Sequence, residues 1–182
     1  MSSLRGAVHT EAAFRASRER GTEGLVLKEP GSPYQPGHRG KQWLKYKKEL
    51  TTLDTLDCLV VVVEWGNGKR AGLLSDYTFA VRGEGGQLLT IGKAYNGLTD
   101  LELKEMTQYF LEHKIRDLGW QIEVEPKIVV EVAFNSIQES ARHASGYVLR
   151  FPRIKRIRWD KGPEDIDTLA TARKIYEEEV KT

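Results

Sequence analysis

The run Leu56-Asp-Cys-Leu-Val-Val-Val-Val-Glu-Trp65 limits the fold more than any other stretch of this chain. Rich in valine and closed by the turn signal Gly66-Asn-Gly-Lys69, it reads as one long strand. It is far too short to cross a membrane and lies mid-chain. Beyond it the pattern stays all-β. Strands are expected at residues 71–82 and 88–94, split by Gly83-Glu-Gly-Gly86, then at about 127–134 and 147–159. One helix interrupts them. Thr99 and Glu102 form a capping box, Leu98 can staple onto Leu103, and Leu103, Met106 and Phe110 continue one apolar face. A last helix, over about 167–179, carries Leu169, Ala172, Ile175 and Tyr176.

Roughly five strands with a helix between the third and fourth is the layout of an OB-fold, a five-stranded barrel. The expected fold class is therefore mainly β with α, with one inserted helix and a C-terminal helix. That barrel suits contacts tracking a nucleic-acid backbone. The first fifty residues stand apart. Residues 10–20 read as a short helix that Thr10 can cap and Gly21 can end. Glu23-Gly-Leu-Val-Leu-Lys28 reads as a buried strand, residues 29–40 as a loop dense in Pro and Gly, and residues 41–47 as a second strand. A helix and two strands are too little to close a core. The expected division is 1–50, the tail of a larger domain, and 51–182, the OB-fold, with a hinge near residues 50–55.

Composition narrows the class. At 182 residues, 40% hydrophobic and 30% charged, the chain fits an ordinary soluble globular protein. The single cysteine, Cys58, lies in the apolar run, which excludes disulfides and a cysteine-rich zinc site and points to an inert thiol. No long apolar segment opens the chain, so a cytoplasmic protein is expected. His9, His38, His113 and His143 show no metal-ligand spacing.

Net charge is only +2, so the concentration of cations in Arg150-Phe-Pro-Arg-Ile-Lys-Arg-Ile-Arg-Trp-Asp-Lys161 is local. Within it, Arg150, Arg153, Lys155, Arg156, Arg158 and Lys161 face one acid, Asp160. A second basic stretch holds Arg39, Lys41, Lys45, Lys47 and Lys48. Two such stretches suggest one polyanion, with phosphates the obvious candidate. Strand alternation puts Trp43, Lys45 and Lys47 on one face. Two lysines about 7 Å apart can reach one phosphate; equally, lysines on an edge strand discourage aggregation. Alternation also groups Arg156, Arg158 and Asp160 against Arg153, Lys155, Ile157 and Trp159. The same strand could be a basic nucleic-acid surface with no catalytic role.

In order and approximate spacing, Glu23-Gly-Leu-Val-Leu-Lys28, Trp43-Leu-Lys-Tyr-Lys47 and Arg150 to Lys161 resemble the last three nucleotidyltransferase motifs of ATP-dependent DNA ligases. Glu64-Trp-Gly-Asn-Gly-Lys-Arg-Ala-Gly-Leu-Leu74 and Glu131-Val-Ala-Phe-Asn-Ser-Ile-Gln138 resemble the OB region of archaeal and bacterial members. The resemblance implies the end of an adenylation domain followed by an OB domain, acting with ATP and Mg²⁺ on duplex or nicked DNA. It implies that Lys28, Lys45, Lys47, Arg158 and Lys161 bind ATP or AMP, with Asp160 holding a basic neighbour. Glu23 would bind the metal. Arg39, Arg150, Arg153, Lys155 and Arg156 would contact DNA. Alternation puts Glu23 and Lys28 on opposite faces unless Gly24 carries a bulge. The family's nucleophilic lysine sits in Lys-x-Asp-Gly, and no such tetrapeptide occurs here. The chain would therefore need the missing N-terminal ligase half for chemistry. The rival reading is a non-catalytic OB-fold module that binds nucleic acid; a capping guanylyltransferase fits the Phe-Pro-Arg motif less well.

Overall fold

The structure is a computed structural model that describes residues 7–20, 22, 24–33, 35–37, 40–47 and 54–180. It divides into two compact units, Met1–Thr51 and Thr52–Thr182. It is mainly β with three helices. Among the described residues, no helix is long and apolar enough to cross a membrane.

In the first unit, helix α1 (Ala7–Glu19) precedes the antiparallel pair β1 (Gly24–Lys28) and β2 (Trp43–Lys47). The helix starts earlier than expected. Thr10 lies inside it and is not its cap, because alanine and its neighbours extend the helix toward the N-terminus. Gly21 lies outside the described residues. Phe14 packs edge-on against Tyr46, with ring centroids 5.2 Å apart, and the Ser17 hydroxyl donates to Gly24 O at 3.0 Å. These contacts cover only one side of the strand pair. β1 is half-buried rather than buried, and Val26 is 56% exposed.

The second unit is organised on β3 (Asp54–Trp65), the valine run. β3 pairs with β4 (Leu74–Arg82) on one side and with β7 (Gln121–Val124) and β8 (Val129–Phe134) on the other. β5 (Leu88–Ala94) pairs with β4, and β11 (Arg153–Ile157) with β8, giving the path β11-β8-β3-β4-β5. β6 (Lys114–Asp117) pairs with β7, and β9 (Ser136–Glu139) pairs with β10 (Tyr147–Arg150). The expected five strands are thus joined by short ones that sequence reading missed. No ladder joins β11 to β5 among the described residues, though Ile154 N–H donates to Asn96 O at 3.0 Å.

Leu56, Cys58, Val60 and Val63 all enter the main core. A register shift between Val60 and Val62 lets Val60 and Val63 share a face that strict alternation would deny them. Burial pushes the Cys58 thiol pKa up, so the thiol is inert. Helix α2 (Asp100–Glu112) has the expected capping box and buries Leu103, Met106 and Phe110. Helix α3 (Leu169–Val180) closes the chain and buries Ala172. On the outer face of the sheet, Leu59, Val129 and Ile166 form a small second cluster. The segment after β11 lies over that outer face.

Candidate phosphate and nucleic-acid site

In the first unit, the β1–β2 register aligns Lys28 with Trp43, Val26 with Lys45, and Gly24 with Lys47. Directly paired residues of an antiparallel ladder share a face. Lys28, Trp43 and Lys45 therefore lie on one side with position 47, opposite the face of Leu25, Leu27 and Tyr46. The Lys28 ammonium sits 3.9 Å from the centroid of the Trp43 ring, a cation–π contact that fixes its stem. The register runs without a shift from Gly24 to Lys28. Glu23 and Arg39 lie outside the described residues.

In the second unit the Arg-rich stretch is not one strand. Its expected span breaks at Phe151, with φ of 51°, and at Pro152, which has no N–H to offer a ladder. β11 then carries a register shift between Ile154 and Arg156. Ile154 and Ile157 are buried while Lys155 and Arg156 both point outward. Strict alternation, which set Lys155 and Arg156 on opposite faces, fails for this reason. Both reach one acid: Lys155 Nζ donates to Glu131 at 3.0 Å and Arg156 Nε at 2.6 Å.

Arg158 follows the end of β11, where its N–H donates to Val129 O at 2.8 Å. Its Nε and Nη2 donate to the two oxygens of Asp160, at 2.9 and 2.7 Å, a planar fork matched to a carboxylate. Its Nη1 lies 3.1 Å from both oxygens of Asp57, and Lys161 Nζ donates to Asp57 Oδ2 at 2.7 Å. Asp57 is 8% exposed and sits opposite Glu131 in the β3–β8 register. It is itself tied down: its N–H donates to Asp167 Oδ2 at 2.7 Å, and Asp167 N–H donates back to Asp57 O at 2.9 Å.

Four of the six cations of the basic stretch therefore meet acids brought in from other strands, not Asp160 alone. Two adjacent carboxylates on a sheet repel; Lys155, Arg156, Arg158 and Lys161 offset that repulsion. The Arg158 fork holds the Asp160 carboxyl far below the usual carboxylate range. Burial pushes Glu131 up, but its hydrogen bonds from Lys155 and Arg156 outweigh this and leave it lowered. Hydrogen bonding to Asp57 raises Lys161. The Lys155 and Arg156 side chains are 60% and 62% exposed, so their bridges are worth at most about 1 kcal/mol each. The Arg158 side chain is only 15% exposed and that of Asp57 11%, so this pair is screened by solvent far less than the Lys155 and Arg156 bridges. Arg150 lies against the Phe151 ring at 5.0 Å, and Arg150 and Arg153 are exposed and form no ion pair with the described residues.

Asp57 and Glu131 escaped sequence reading. The signal was present: each is an acid inside an apolar strand, and a buried acid requires a cationic or hydrogen-bonding partner. The partners of Asp57, 101 and 104 residues away, were not readable.

Residues 1–47 match the family described as the ATP dependent DNA ligase domain, and residues 70–161 the ATP dependent DNA ligase C terminal region. The chain belongs to the ATP-dependent DNA ligase family. A probable DNA ligase of Koribacter versatilis is 61% identical over 163 residues, covering 90% of this chain and 28% of that protein. A DNA ligase of Methanococcoides burtonii is 44% identical over 164 residues, again 90% of this chain and 28% of that one. The chain thus spans less than a third of the length of these curated relatives. The solved ligase domain of LigD from M. tuberculosis is similar over 86% of this chain and 50% of its own, with a TM-score of 0.53 and 24% identity. A structure designated Pmar-Lig_Pre gives a TM-score of 0.57 at 22% identity, over 86% of this chain and 32% of its own. At such identities these two likenesses are of fold.

Proposed function

We propose that this chain supplies the C-terminal phosphate- and DNA-handling part of an ATP-dependent DNA ligase. The parent reaction joins a 3′-hydroxyl to a 5′-phosphate at a nick through lysyl-AMP and DNA-adenylate. In this reading residues 1–50 end the nucleotidyltransferase domain and residues 51–182 form the OB domain, with residues 50–55 serving as part of a hinge. Family membership favours this over a nucleic-acid module without chemistry.

The observation that carries the reading is the pairing of Arg158 and Lys161 on one buried carboxylate. A guanidinium and an ammonium held together suit the β- and γ-phosphates of ATP, where they would stabilise charge as pyrophosphate departs. Lys28, Lys45 and Lys47 would serve the AMP phosphate from the lysine face of β1 and β2. Arg39, Arg150, Arg153, Lys155 and Arg156 would contact DNA phosphates, which position rather than specify. Mg²⁺ would lie on Glu23 and would lend positive charge to the phosphates. Such an ion keeps most of its waters and needs only one or two protein carboxylates. It is therefore compatible with the lack, among the described residues, of any three-ligand acidic cluster.

The test is covalent adenylation. Lys45 and Lys47 bind phosphate in this account and do not attack it. Incubated with labelled ATP and Mg²⁺ and run on a denaturing gel, this chain should carry no AMP. A covalent AMP band would point to an unrecognised nucleophile and overturn the assignment.

A further inference from the structure

Asp57 is an acid in the first half of β3, ahead of its valines, and among the described residues it is the one carboxylate that pairs with both Arg158 and Lys161. It is 8% exposed, whereas the side chain of Asp160, the other acid on Arg158, is 66% exposed. Its backbone is clamped on both sides of the peptide by Asp167. A carboxylate this fixed can set the position of what binds it. Arg158 has five N–H donors; Nε and Nη2 each give one to Asp160 and Nη1 faces both oxygens of Asp57, which leaves at least the second Nη2 hydrogen unspent. The Lys161 ammonium has three donors and gives one to Asp57. Both groups are anchored on one side and able to donate on the other.

We propose that Asp57 is a positioning residue that holds Arg158 and Lys161 at one spacing, so that together they receive a diphosphate group. The proposal rests on the reading of Arg158 and Lys161 as phosphate ligands. It differs from simple charge balance in the sign of its consequence. If Asp57 only neutralises the two cations, removing its charge frees them and anions bind more tightly. If Asp57 positions them, its loss lets two flexible side chains drift apart, and a diphosphate must order them again on binding.

The test titrates inorganic pyrophosphate into the 182-residue chain, following affinity by calorimetry and the Arg158 Nε–H resonance by NMR. The wild-type chain should bind and shift that resonance, and Arg158→Ala should abolish binding. Asp57→Asn should weaken pyrophosphate by about tenfold, the equivalent of one charge-assisted hydrogen bond. Asp57→Glu keeps the charge and the ion pairs, and so the fold, but moves the carboxylate by one methylene. It should weaken binding by a smaller factor and move the Arg158 resonance before any ligand is added. Tighter or unchanged binding in Asp57→Asn, or wild-type behaviour in Asp57→Glu, would overturn the role of Asp57 alone. Wild-type binding that is absent, or indifferent to Arg158→Ala, would overturn the phosphate reading and Asp57's role with it.

Discussion

At the scale of single residues, ion pairing decides which cations are held and which are open. Asp160 and Glu131 both have lowered carboxyl pKa values, Asp160 chiefly through the Arg158 hydrogen bond. A carboxylate depressed in the folded state stabilises fully above its unfolded pKa, about 4, and loses that stabilisation as pH falls through the lower folded value. The cluster should therefore be intact throughout the neutral range. It should come apart only in acid, below the ordinary carboxylate midpoint. An NMR titration of the Asp160 and Glu131 carboxyl carbons checks this; midpoints at or above those of a free carboxylate would contradict it. The sequence disclosed the cations and the two acids set in apolar strands, but not which cation meets which acid. The face of Lys28 is not fixed by the sequence for a related reason. Alternation within β1 sets its face relative to its own neighbours, but only the register with β2 sets it relative to Lys45. That register depends on the loop between the strands, which composition identifies only as a loop.

Among the elements, those with strong local signals were legible. The capping box predicted α2, and the glycine-rich turns bracketed β4 and β5. The missed strands are short, four residues each, too few for the alternation of β7 or β9 to stand out. All four residues of β6 are exposed, so no apolar periodicity announced it. The basic stretch reads as one strand because cations occur on both sides of the break; the sequence does carry the signal, since Phe151 and Pro152 interrupt the alternation and proline offers a ladder no N–H. Placement of β11 also depends on a glycine. Gly97 has φ of +116°, and a Cβ there would lie 1.8 Å from Ile154 O, inside β11. Gly97→Ala should thus displace β11 and destabilise the unit by about 3 kcal/mol, combining backbone strain with a clash that no side-chain rotation relieves. Urea denaturation measures it. A loss under about 0.5 kcal/mol, typical of an innocuous surface change, would show that β11 is not held there.

At the scale of the whole molecule, the first unit presents a lysine-faced strand pair, and the second, mainly β, carries a partly neutralised basic strand. Arg150, Arg153, Lys155 and Arg156 are exposed, and Glu131 offsets one of their charges. Duplex DNA should bind weakly and without sequence preference. Its log affinity should fall against log salt with a slope of about −3, set by counterion release. Fluorescence anisotropy across a salt series checks this; a flat response or marked sequence selectivity would contradict it. The most direct measurement separates the steps of ligation, in a complete ligase carrying this chain as its C-terminal part. Arg158 and Lys161 are assigned to the departing pyrophosphate, which is present only during adenylation by ATP. Lys45 and Lys47 are assigned to the AMP phosphate, which persists through every step. Arg158→Ala should cut enzyme adenylation by a factor on the order of 10² while leaving single-turnover sealing of a pre-adenylated nick largely intact, and Lys45→Ala should damage both. If Arg158→Ala sealed the pre-adenylated nick as poorly as Lys45→Ala, the stretch from Arg150 to Lys161 would be a DNA-binding surface and the division of labour proposed here would be wrong.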